Sequence, residues 1–205
     1  MTNETPTLLY IHGLNSSVLS KKATQLIALM QSLGLSEHLR VPELHHHPRR
    51  AMVQLESAIE ELGRPLLVGS SLGGYYATHL AQRHGLSAVL INPAVNPHQL
   101  FDGFLGPQQN LYTGQTWELT HDHVQALAEL EVPAPQDPAS VQVWLQTGDE
   151  TLDYRRAESF YRACALRIQA GGDHSYQGFG AQLPALLSFA GFAPELLQAL
   201  DVSTL

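Results

Sequence analysis

Hydrophobic residues along the chain form two kinds of pattern, short continuous runs and stripes at helical spacing. Three mostly apolar runs of strand length, 8–11, 66–68 and 87–91, each stop shortly before a glycine or a proline. Such runs are typical of strands covered on both faces, which indicates a parallel sheet. Between them, apolar residues recur at spacings of three and four, as on one face of a helix. Strands alternating with helices predict a doubly wound α/β fold.

Weaker signals complete the order of the predicted elements, and no internal repeat or domain boundary interrupts it. The stretch at about 93–120 is punctuated by proline and glycine, and we expect so long an irregular segment to line a binding site. The sequence therefore predicts a single α/β domain over residues 1–205, with ligands bound beyond the carboxyl ends of its mostly parallel strands. The other predicted elements are helices near 21–33, 48–62, 72–84, 121–130 and 153–163, two C-terminal helices of which the last opens at Pro194, and strands at 39–44, 141–145 and 166–168.

A glycine- and serine-rich turn after the run 66–68 indicates a specific chemistry. It reads GSSLG over residues 69–73, and a helical pattern starts directly after it. A strand, a very tight turn and a helix are the context of a nucleophile elbow, whose motif is G-x-S-x-G. The glycines are needed because side chains two positions from the nucleophile would collide where strand and helix nearly touch. The register selects Ser71, since Ser70 would need glycines where the chain has valine and leucine.

Two other glycine-rich motifs do not fit this turn. A P-loop needs a lysine in its G-x-x-x-x-G-K motif, and the chain's two lysines, Lys21 and Lys22, lie far from the turn. A dinucleotide-binding fingerprint needs G-x-G-x-x-G and a suitably placed acidic residue, and the turn has neither. A turn that only packs remains the non-catalytic alternative.

Composition and charge restrict the function further. The 205 residues are 44% hydrophobic and 15% charged, the balance of a packed globular domain. A net charge of −8 argues against nucleic-acid binding, which requires a basic face. No apolar stretch reaches the roughly 18 residues of a membrane span, and no secretory signal is visible. Because Cys164 is the only cysteine, no internal disulfide can form, and we expect a cytoplasmic protein.

A serine nucleophile needs a base held by a third group, and α/β-hydrolases supply them in the order serine, acid, histidine. His174 follows the last predicted strand in a glycine-rich loop, where that base belongs. Asp149 directly follows the strand at 141–145 and is the first choice for the acid. Asp153 is the second choice, although it is better explained as a helix cap. Weaker alternatives are Glu150 and Asp173 for the acid, and His79, His84, His98, His121 and His123 for the base.

The negative oxygen that develops during acyl transfer needs backbone N–H donors. In α/β-hydrolases one donor is the residue after the nucleophile, and the other comes from a loop after an earlier strand. The sequence places these donors at the N–H groups of Leu72 and Leu14. We therefore expect substitution of either side chain to matter less than replacement of Ser71.

Three consecutive histidines, His45–His47, resemble part of a metal site. Successive residues of an extended chain point in alternate directions, however, and no nearby cysteine or carboxylate cluster completes the site. We therefore expect a solvated loop here, and neither a metal nor another cofactor.

Seven segments spread over the chain form a combination far more specific than the elbow alone. They are YIHGLNSS (10–17), VGSSLGGYYAT (68–78), NPAV (92–95), YTGQ (112–115), QTGDE (146–150), LDYR (152–155) and the two glycines at 171–172. Together they resemble the YqiA/YcfP-type bacterial esterases. The resemblance implies a small α/β-hydrolase with almost no lid, with Ser71 as nucleophile, His174 as base and Asp149 as acid. The chain departs from that family at Asp173, where asparagine is expected, at His45–His47, and after about residue 192.

The sequence thus predicts a serine esterase that hydrolyses short-chain acyl esters or thioesters through an acyl-enzyme. Without a cap domain the pocket should be shallow, which favours short acyl groups. The expected partner is a small-molecule acyl ester or thioester, with no nucleic-acid partner and no membrane span. The alternatives are a non-catalytic hydrolase-like binding module, and a peptidase or lactonase that uses the same residues.

Overall fold

Strands and helices alternate along most of the chain, as the apolar pattern predicts. The computed structural model describes residues 5–198. Its strands are β1 (Leu8–Ile11), β2 (Leu39–Arg40), β3 (Leu66–Ser70), β4 (Ala88–Ile91), β5 (Gly106–Gln109), β6 (Thr116–Leu119), β7 (Val141–Gln146) and β8 (Ala165–Gln169). Its helices are α1 (Lys21–Ser32), α2 (Pro48–Leu62), α3 (Leu72–His84), α4 (His98–Phe101), α5 (His121–Ala128), α6 (Tyr154–Phe160), α7 (Phe179–Ala190) and α8 (Pro194–Gln198). Among the helices of residues 5–198, none is long and apolar enough to cross a bilayer.

Six parallel strands form the central sheet, in the order β2-β1-β3-β4-β7-β8. Successive side chains of a strand point to opposite faces, so β1 directs Leu8 and Tyr10 into one hydrophobic cluster, and Leu9 and Ile11 into another. Helices α1 and α7 pack on the first cluster, and α2, α3, α5 and α6 pack on the second. The sheet is therefore doubly wound, with a core on each face.

The carboxyl ends of parallel strands lie at one edge of the sheet, where ligands of open α/β folds bind. The loops after β1, β3, β4, β7 and β8 meet at this edge. They carry Gly13, Ser71, Asn92, Asp149 and His174, respectively. The strand order thus brings together residues that are up to 161 positions apart in the chain.

The segment 93–120 contains more regular structure than the sequence predicts. It forms α4 and then an antiparallel hairpin of β5 and β6, in which Gly106 pairs with Leu119. The expectation of an irregular stretch is wrong here because these strands alternate exposed residues with mostly half-buried ones, and so contain no apolar run. The turn closes through the N–H of Gly114, which donates to the carbonyl of Asn110 at 3.0 Å.

His45–His47 form a loop, as expected, but the loop is half-buried and packed, not solvated. The ring of His46 stacks on Trp117 of the hairpin with 4.8 Å between ring centroids, and lies 5.8 Å from the ring of His123. The Nδ1 atom of His47 accepts the N–H of Arg49 and so caps α2. Stacked rings bury apolar surface, which explains why a run of histidines packs here. We call His45–His47, Trp117 and His123 the histidine cluster; within residues 5–198 no group of three or more potential metal ligands is arranged to hold an ion.

Candidate active site

Ser71 lies at the turn between β3 and α3, at the carboxyl edge of the sheet. Its backbone has φ 56° and ψ −120°, a conformation that side chains rarely adopt and that is typical of a nucleophile elbow. Hydrogen bonds on both sides hold this strained residue. Its N–H donates to Ile91 O at 3.0 Å, and its carbonyl accepts from the N–H groups of Gly74 and Ala94. The hydroxyl is therefore fixed in place on a half-buried side chain.

Glycine is required on both sides of Ser71 because the strand and the helix almost touch. A Cβ atom added at Gly69 would collide with the carbonyl of Gly73, and one added at Gly73 would collide with the carbonyl of Ile11 in β1. Both obstacles are backbone atoms, which cannot rotate away. The motif that selects Ser71 in the sequence therefore has a steric basis in the structure.

Three side chains that are distant in the sequence meet at this turn. The Nε2 atom of His174 lies 3.0 Å from Ser71 Oγ, and its Nδ1 atom lies 2.8 Å from Asp149 Oδ2. The Asp149 side chain is 2% exposed and that of His174 is 24% exposed. Asp149 Oδ1 also accepts the N–H groups of Thr151 and Leu152, at 2.9 and 2.8 Å, which orients the carboxylate. The three residues chosen from sequence thus form one continuous line of hydrogen bonds.

The other acids considered for this position have different partners. Asp153 caps α6 by accepting the second N–H of that helix. The carboxylate of Asp173 accepts hydrogen bonds from the hydroxyl of Ser175 and from a nearby glutamine amide, and these bonds lower its pKa. Glu150 accepts the backbone N–H of His174 at 3.0 Å. Glu150 therefore supports the histidine loop, a role that the sequence does not reveal.

The two backbone N–H groups predicted from the sequence as oxyanion donors belong to Leu72 and Leu14, on either side of the Ser71 turn. Leu72 is the first residue of α3, so its N–H has no acceptor within the helix. The loop after β1 comes close to the serine, since a Cβ atom at Gly13 would lie 3.6 Å from Ser71 Oγ. Leu14 is the next residue of that loop, and among residues 5–198 its N–H donates to no backbone or side-chain acceptor.

His12 holds the loop that carries Leu14, a role that the sequence analysis missed. This buried ring accepts the N–H of Leu44 on Nε2, at 3.1 Å. The other nitrogen, Nδ1, therefore carries the proton and donates to Gly13 O at 3.0 Å. Burial lowers the pKa of His12, which favours this neutral form.

The hairpin of β5 and β6 is bonded to the same loop. Trp117 Nε1 donates to Asn15 Oδ1 at 2.8 Å, and the N–H of Leu111 donates to the Asn15 carbonyl at 2.9 Å. Asn110 Nδ2 donates to Ser16 O at 2.8 Å. The hairpin therefore forms one wall of the site and is attached through side chains as well as backbone.

Two buried polar side chains, also missed from the sequence, hold the loop that carries His174. Asn92 Nδ2 donates to the carbonyls of Asp173 and His174, at 3.1 and 3.4 Å, and Asn92 Oδ1 accepts the N–H of Gln146 at 3.0 Å. Gln146 Oε1 accepts the N–H groups of Asp173 and Gln177, at 3.1 and 2.9 Å. Asn92 is 2% exposed and Gln146 is 4% exposed. Their only sign in the sequence is their position at strand ends.

Two depressions flank the Leu14 loop. The smaller, about 100 Å³, includes Leu72, Tyr76 and Trp117 in its lining. The larger, about 380 Å³, is lined by Ser71 and His174 and extends along the start of α1. We call the larger one the α1 cleft.

A doubly wound parallel sheet that presents a serine on a strained strand–helix turn, with an acid and a histidine after later strands, defines the α/β-hydrolase fold. Comparison with known families makes the assignment more specific. The sequence model of the uncharacterised protein family UPF0227 matches residues 7–191. The chain belongs to this family, which confirms the resemblance noted in the sequence.

Known relatives agree with this assignment. A UPF0227 protein of Shewanella woodyi (strain ATCC 51908 / MS32) is 24% identical over 194 residues, which cover 89% of this chain and 98% of that protein. The structure of Est1E from Butyrivibrio proteoclasticus with bound ferulic acid has a TM-score of 0.71 and 13% identity, and covers 91% of this chain and 89% of that one. Mouse alpha/beta hydrolase domain-containing protein 10 has a TM-score of 0.69 and 16% identity, and covers 98% and 93%. These likenesses confirm the predicted fold.

Proposed function

We propose that the protein is a serine hydrolase that cleaves short-chain acyl esters or thioesters through a covalent acyl-enzyme. The observation that carries the proposal is the line of hydrogen bonds from the buried Asp149 carboxylate through His174 to the Ser71 hydroxyl. The likeness to the fold of an esterase supports it.

Acylation uses each member of this line. His174 Nε2 takes the Ser71 proton while Oγ attacks the carbonyl carbon of the substrate. Asp149 holds the Nδ1 proton and stabilises the imidazolium that forms. The N–H groups of Leu14 and Leu72 donate to the developing oxyanion. His174 then gives its proton to the leaving oxygen or sulfur, the carbon–heteroatom bond breaks, and the acyl group remains on Ser71.

Deacylation repeats these steps with water. His174 removes a proton from a water molecule as its oxygen attacks the acyl carbon, and the same two N–H groups hold the second oxyanion. Collapse of this intermediate breaks the bond to Ser71 Oγ, which takes the proton back from His174. The products are a carboxylic acid and the free serine.

The smaller depression supports a short acyl group. Its volume of about 100 Å³ is well below the roughly 300–1,000 Å³ of sites that enclose drug-sized ligands. Leu72 and Tyr76, which line it, are largely buried side chains. An acetyl or butyryl group is therefore the expected size.

Replacement of the nucleophile tests the proposal. We expect Ser71→Ala to lower kcat for 4-nitrophenyl acetate and butyrate by on the order of 10⁶, as for serine hydrolases with such triads. Ser70→Ala is the matched control at the adjacent serine and should keep activity within about tenfold. Hydrolysis by Ser71→Ala at the wild-type rate would exclude the mechanism.

A non-catalytic binding module is the alternative from another class. A fluorophosphonate probe labels an activated serine, whereas a binding scaffold has no activated nucleophile. We expect peptide mapping to find the label on Ser71 in the wild type and in Ser70→Ala. Absence of labelling, together with absence of ester hydrolysis, would favour the binding module.

A further inference from the structure

The α1 cleft is lined by both Ser71 and His174, so we assign the leaving group to it. His174 lines this cleft, and in the proposed mechanism His174 hands its proton to the leaving oxygen. This assignment leaves the smaller depression, lined by the proposed oxyanion donors Leu14 and Leu72, for the acyl group. The chemistry of the α1 cleft therefore bears on the alcohol or thiol part of the substrate.

The lining of the α1 cleft mixes polar and apolar surface and contains both of the chain's lysines, Lys21 and Lys22. Hydroxyl groups make up much of the remaining wall, and leucines contribute at two positions. The hydroxyl-bearing residues are Tyr10, Ser16, Ser20, Ser70, Tyr112, Thr151 and Ser175. The chain has a net charge of −8, yet both of its lysines line this one cleft.

Lys22 has unused hydrogen-bonding capacity in the α1 cleft. Its Nζ atom donates to Ser175 O at 2.7 Å, and among residues 5–198 this is its one hydrogen bond to a protein acceptor. An ammonium group carries three donors, so two remain for a ligand. Burial lowers the pKa of Lys22 to about 8, against the opposing effect of nearby Asp173 and Asp149. The group is therefore still mostly charged at pH 7.

The N-terminus of α1 opens into the same cleft without a cap. Ser20 occupies the N-cap position but makes no side-chain cap hydrogen bond, and no acidic residue lies in the first turn. Ser20 is 7% exposed and lines the cleft, and its buried Oγ atom has no hydrogen-bond partner among the described residues. Free N–H groups at the start of a helix attract anions.

Three carboxylates oppose this positive character, because Asp173 and Asp149 act on Lys22 from nearby and a third lies in the wall. The third belongs to Glu150, which lines the α1 cleft and whose Oε2 atom accepts the backbone N–H of His174. The carboxylates of Asp149 and Asp173 are already bonded, to His174 and to Ser175 and Gln177 respectively. Two N–H donors of Lys22 and the uncapped N-terminus of α1 are therefore the groups in the cleft that can still bind an anion.

We propose that the α1 cleft selects esters or thioesters whose leaving group carries an anionic group, a carboxylate or a phosphate, and that Lys22, assisted by Lys21, is the specificity residue. This inference rests on the proposed function, because it assigns the α1 cleft to the leaving group. It gives Lys22 a role distinct from the catalytic steps: the ammonium binds the substrate's anion, while Ser71 and His174 act on the ester bond.

A pair of acetate esters that differ in charge tests the proposal. The probes are 4-acetoxybenzoate and the neutral 4-acetoxybenzamide, assayed by kcat/KM. We expect Lys22→Met to lower kcat/KM for the benzoate by about 10- to 100-fold, the range for a hydrogen bond to a charged group, with less than a twofold change for the benzamide. Lys21→Met should lower the benzoate value by no more than about fivefold, as for an exposed charge pair.

Two control variants accompany this pair. Lys22→Arg retains the charge and should keep the preference for the benzoate. Arg162→Met removes an exposed charge outside the α1 cleft and should change neither ester. An equal loss on both esters in Lys22→Met would overturn the proposal, because it would make Lys22 a positioning residue for the His174 loop. The same assay with 4-acetoxyphenyl phosphate shows whether kcat/KM falls more for a phosphate or for a carboxylate when Lys22 is replaced.

Calorimetry separates this proposal from the proposed function. Ser71→Ala protein, which should not turn over, is titrated with 4-acetoxybenzoate, with and without the additional Lys22→Met substitution. We expect binding that weakens about tenfold or more in the double variant. If wild type hydrolyses neither ester, the proposed function fails, while this titration still decides the binding site. Binding that is absent, or independent of Lys22, overturns the inference.

Discussion

The side chain of Asn92 joins three parts of the site through hydrogen bonds. It lies at the end of β4 and bonds to the end of β7 at Gln146 and to the loop that carries His174. Its φ of 40° is in the left-handed region, which asparagine adopts more readily than most residues. Backbone preference and hydrogen bonding therefore both favour asparagine at this position.

We expect Asn92→Ala to lower the free energy of unfolding by about 1–3 kcal/mol, because the buried N–H of Gln146 loses its acceptor. The value of kcat for ester hydrolysis should also fall, with KM little changed, since the His174 loop is held less firmly. Urea unfolding followed by circular dichroism measures the first effect. Asn96→Ala is the control, because Asn96 has a similar φ of 49° and is less buried. Equal destabilisation in the two variants would show that the Asn92 hydrogen bonds contribute nothing.

The residues of the proposed chemistry could be predicted from the sequence, and those that hold them could not. Ser71, Asp149 and His174 each follow a strand, and they occur in the chain order typical of α/β-hydrolases. Their positions in the sequence are therefore enough to predict them. Asn92 and Gln146 are single polar residues in ordinary positions, and their importance comes from burial. Burial depends on which strands become neighbours in the sheet. The strand order cannot be deduced from the residues that surround a single position in the sequence.

Among the structural elements, the junction of β3 and α3 tolerates the least change. A Cβ atom at Gly73 would collide with the carbonyl of Ile11 in β1, so substitution must move either the helix or a central strand. We expect Gly73→Ala to lower the free energy of unfolding by about 3 kcal/mol or more, above the usual range for overpacking. Thermal unfolding is the measurement.

Gly103→Ala is the matched control for this effect. A Cβ atom at Gly103 meets nothing within 4 Å, so the stability should change by less than about 0.5 kcal/mol. Similar melting temperatures for the two variants would contradict the steric explanation of the motif.

Elements with a continuous apolar pattern could be predicted, and elements stabilised by polar contacts could not. The run at 8–11 predicts β1 correctly because both faces of that strand are buried. The predicted strand at 39–44 is shortened to β2, Leu39–Arg40, and Pro42 beyond it lacks the N–H of a ladder bond. The hairpin of β5 and β6 is stabilised by asparagine hydrogen bonds and by the histidine cluster. Neither kind of contact produces a periodic hydrophobic pattern in the sequence.

For the whole molecule, histidines determine the response to acid. The chain has 11 histidines and 11 lysines plus arginines, so full protonation of the histidines doubles the number of cationic side chains. Burial is the main cause that lowers the pKa of His12, His45, His46, His79 and His123. For His123, at about 4, the neighbouring imidazoles His47 and His46 lower it further.

We expect stability to fall as the pH drops from about 6.5 towards 4. In this window the unfolded chain binds protons that the folded chain excludes, and this difference favours unfolding. Above pH 6.5 both states are neutral at these histidines, so the loss disappears. The His123→Phe variant keeps an aromatic ring in the cluster without a titrating nitrogen, so its unfolding free energy should decline less between pH 7.5 and 5. Parallel pH profiles for the variant and the wild type would argue against this assignment.

The attachment of the hairpin to Asn15 and Ser16 has a practical consequence for altering the protein. Any movement of the hairpin would displace the same loop that carries Leu14, so access to Ser71 is mechanically linked to the position of the proposed oxyanion donor. Directed evolution of the hairpin should therefore randomise its exposed tip, Leu111–Thr113, and keep Asn110 and Trp117 unchanged. Libraries built in this way would change which molecules enter while leaving the alignment of the proposed catalytic residues intact.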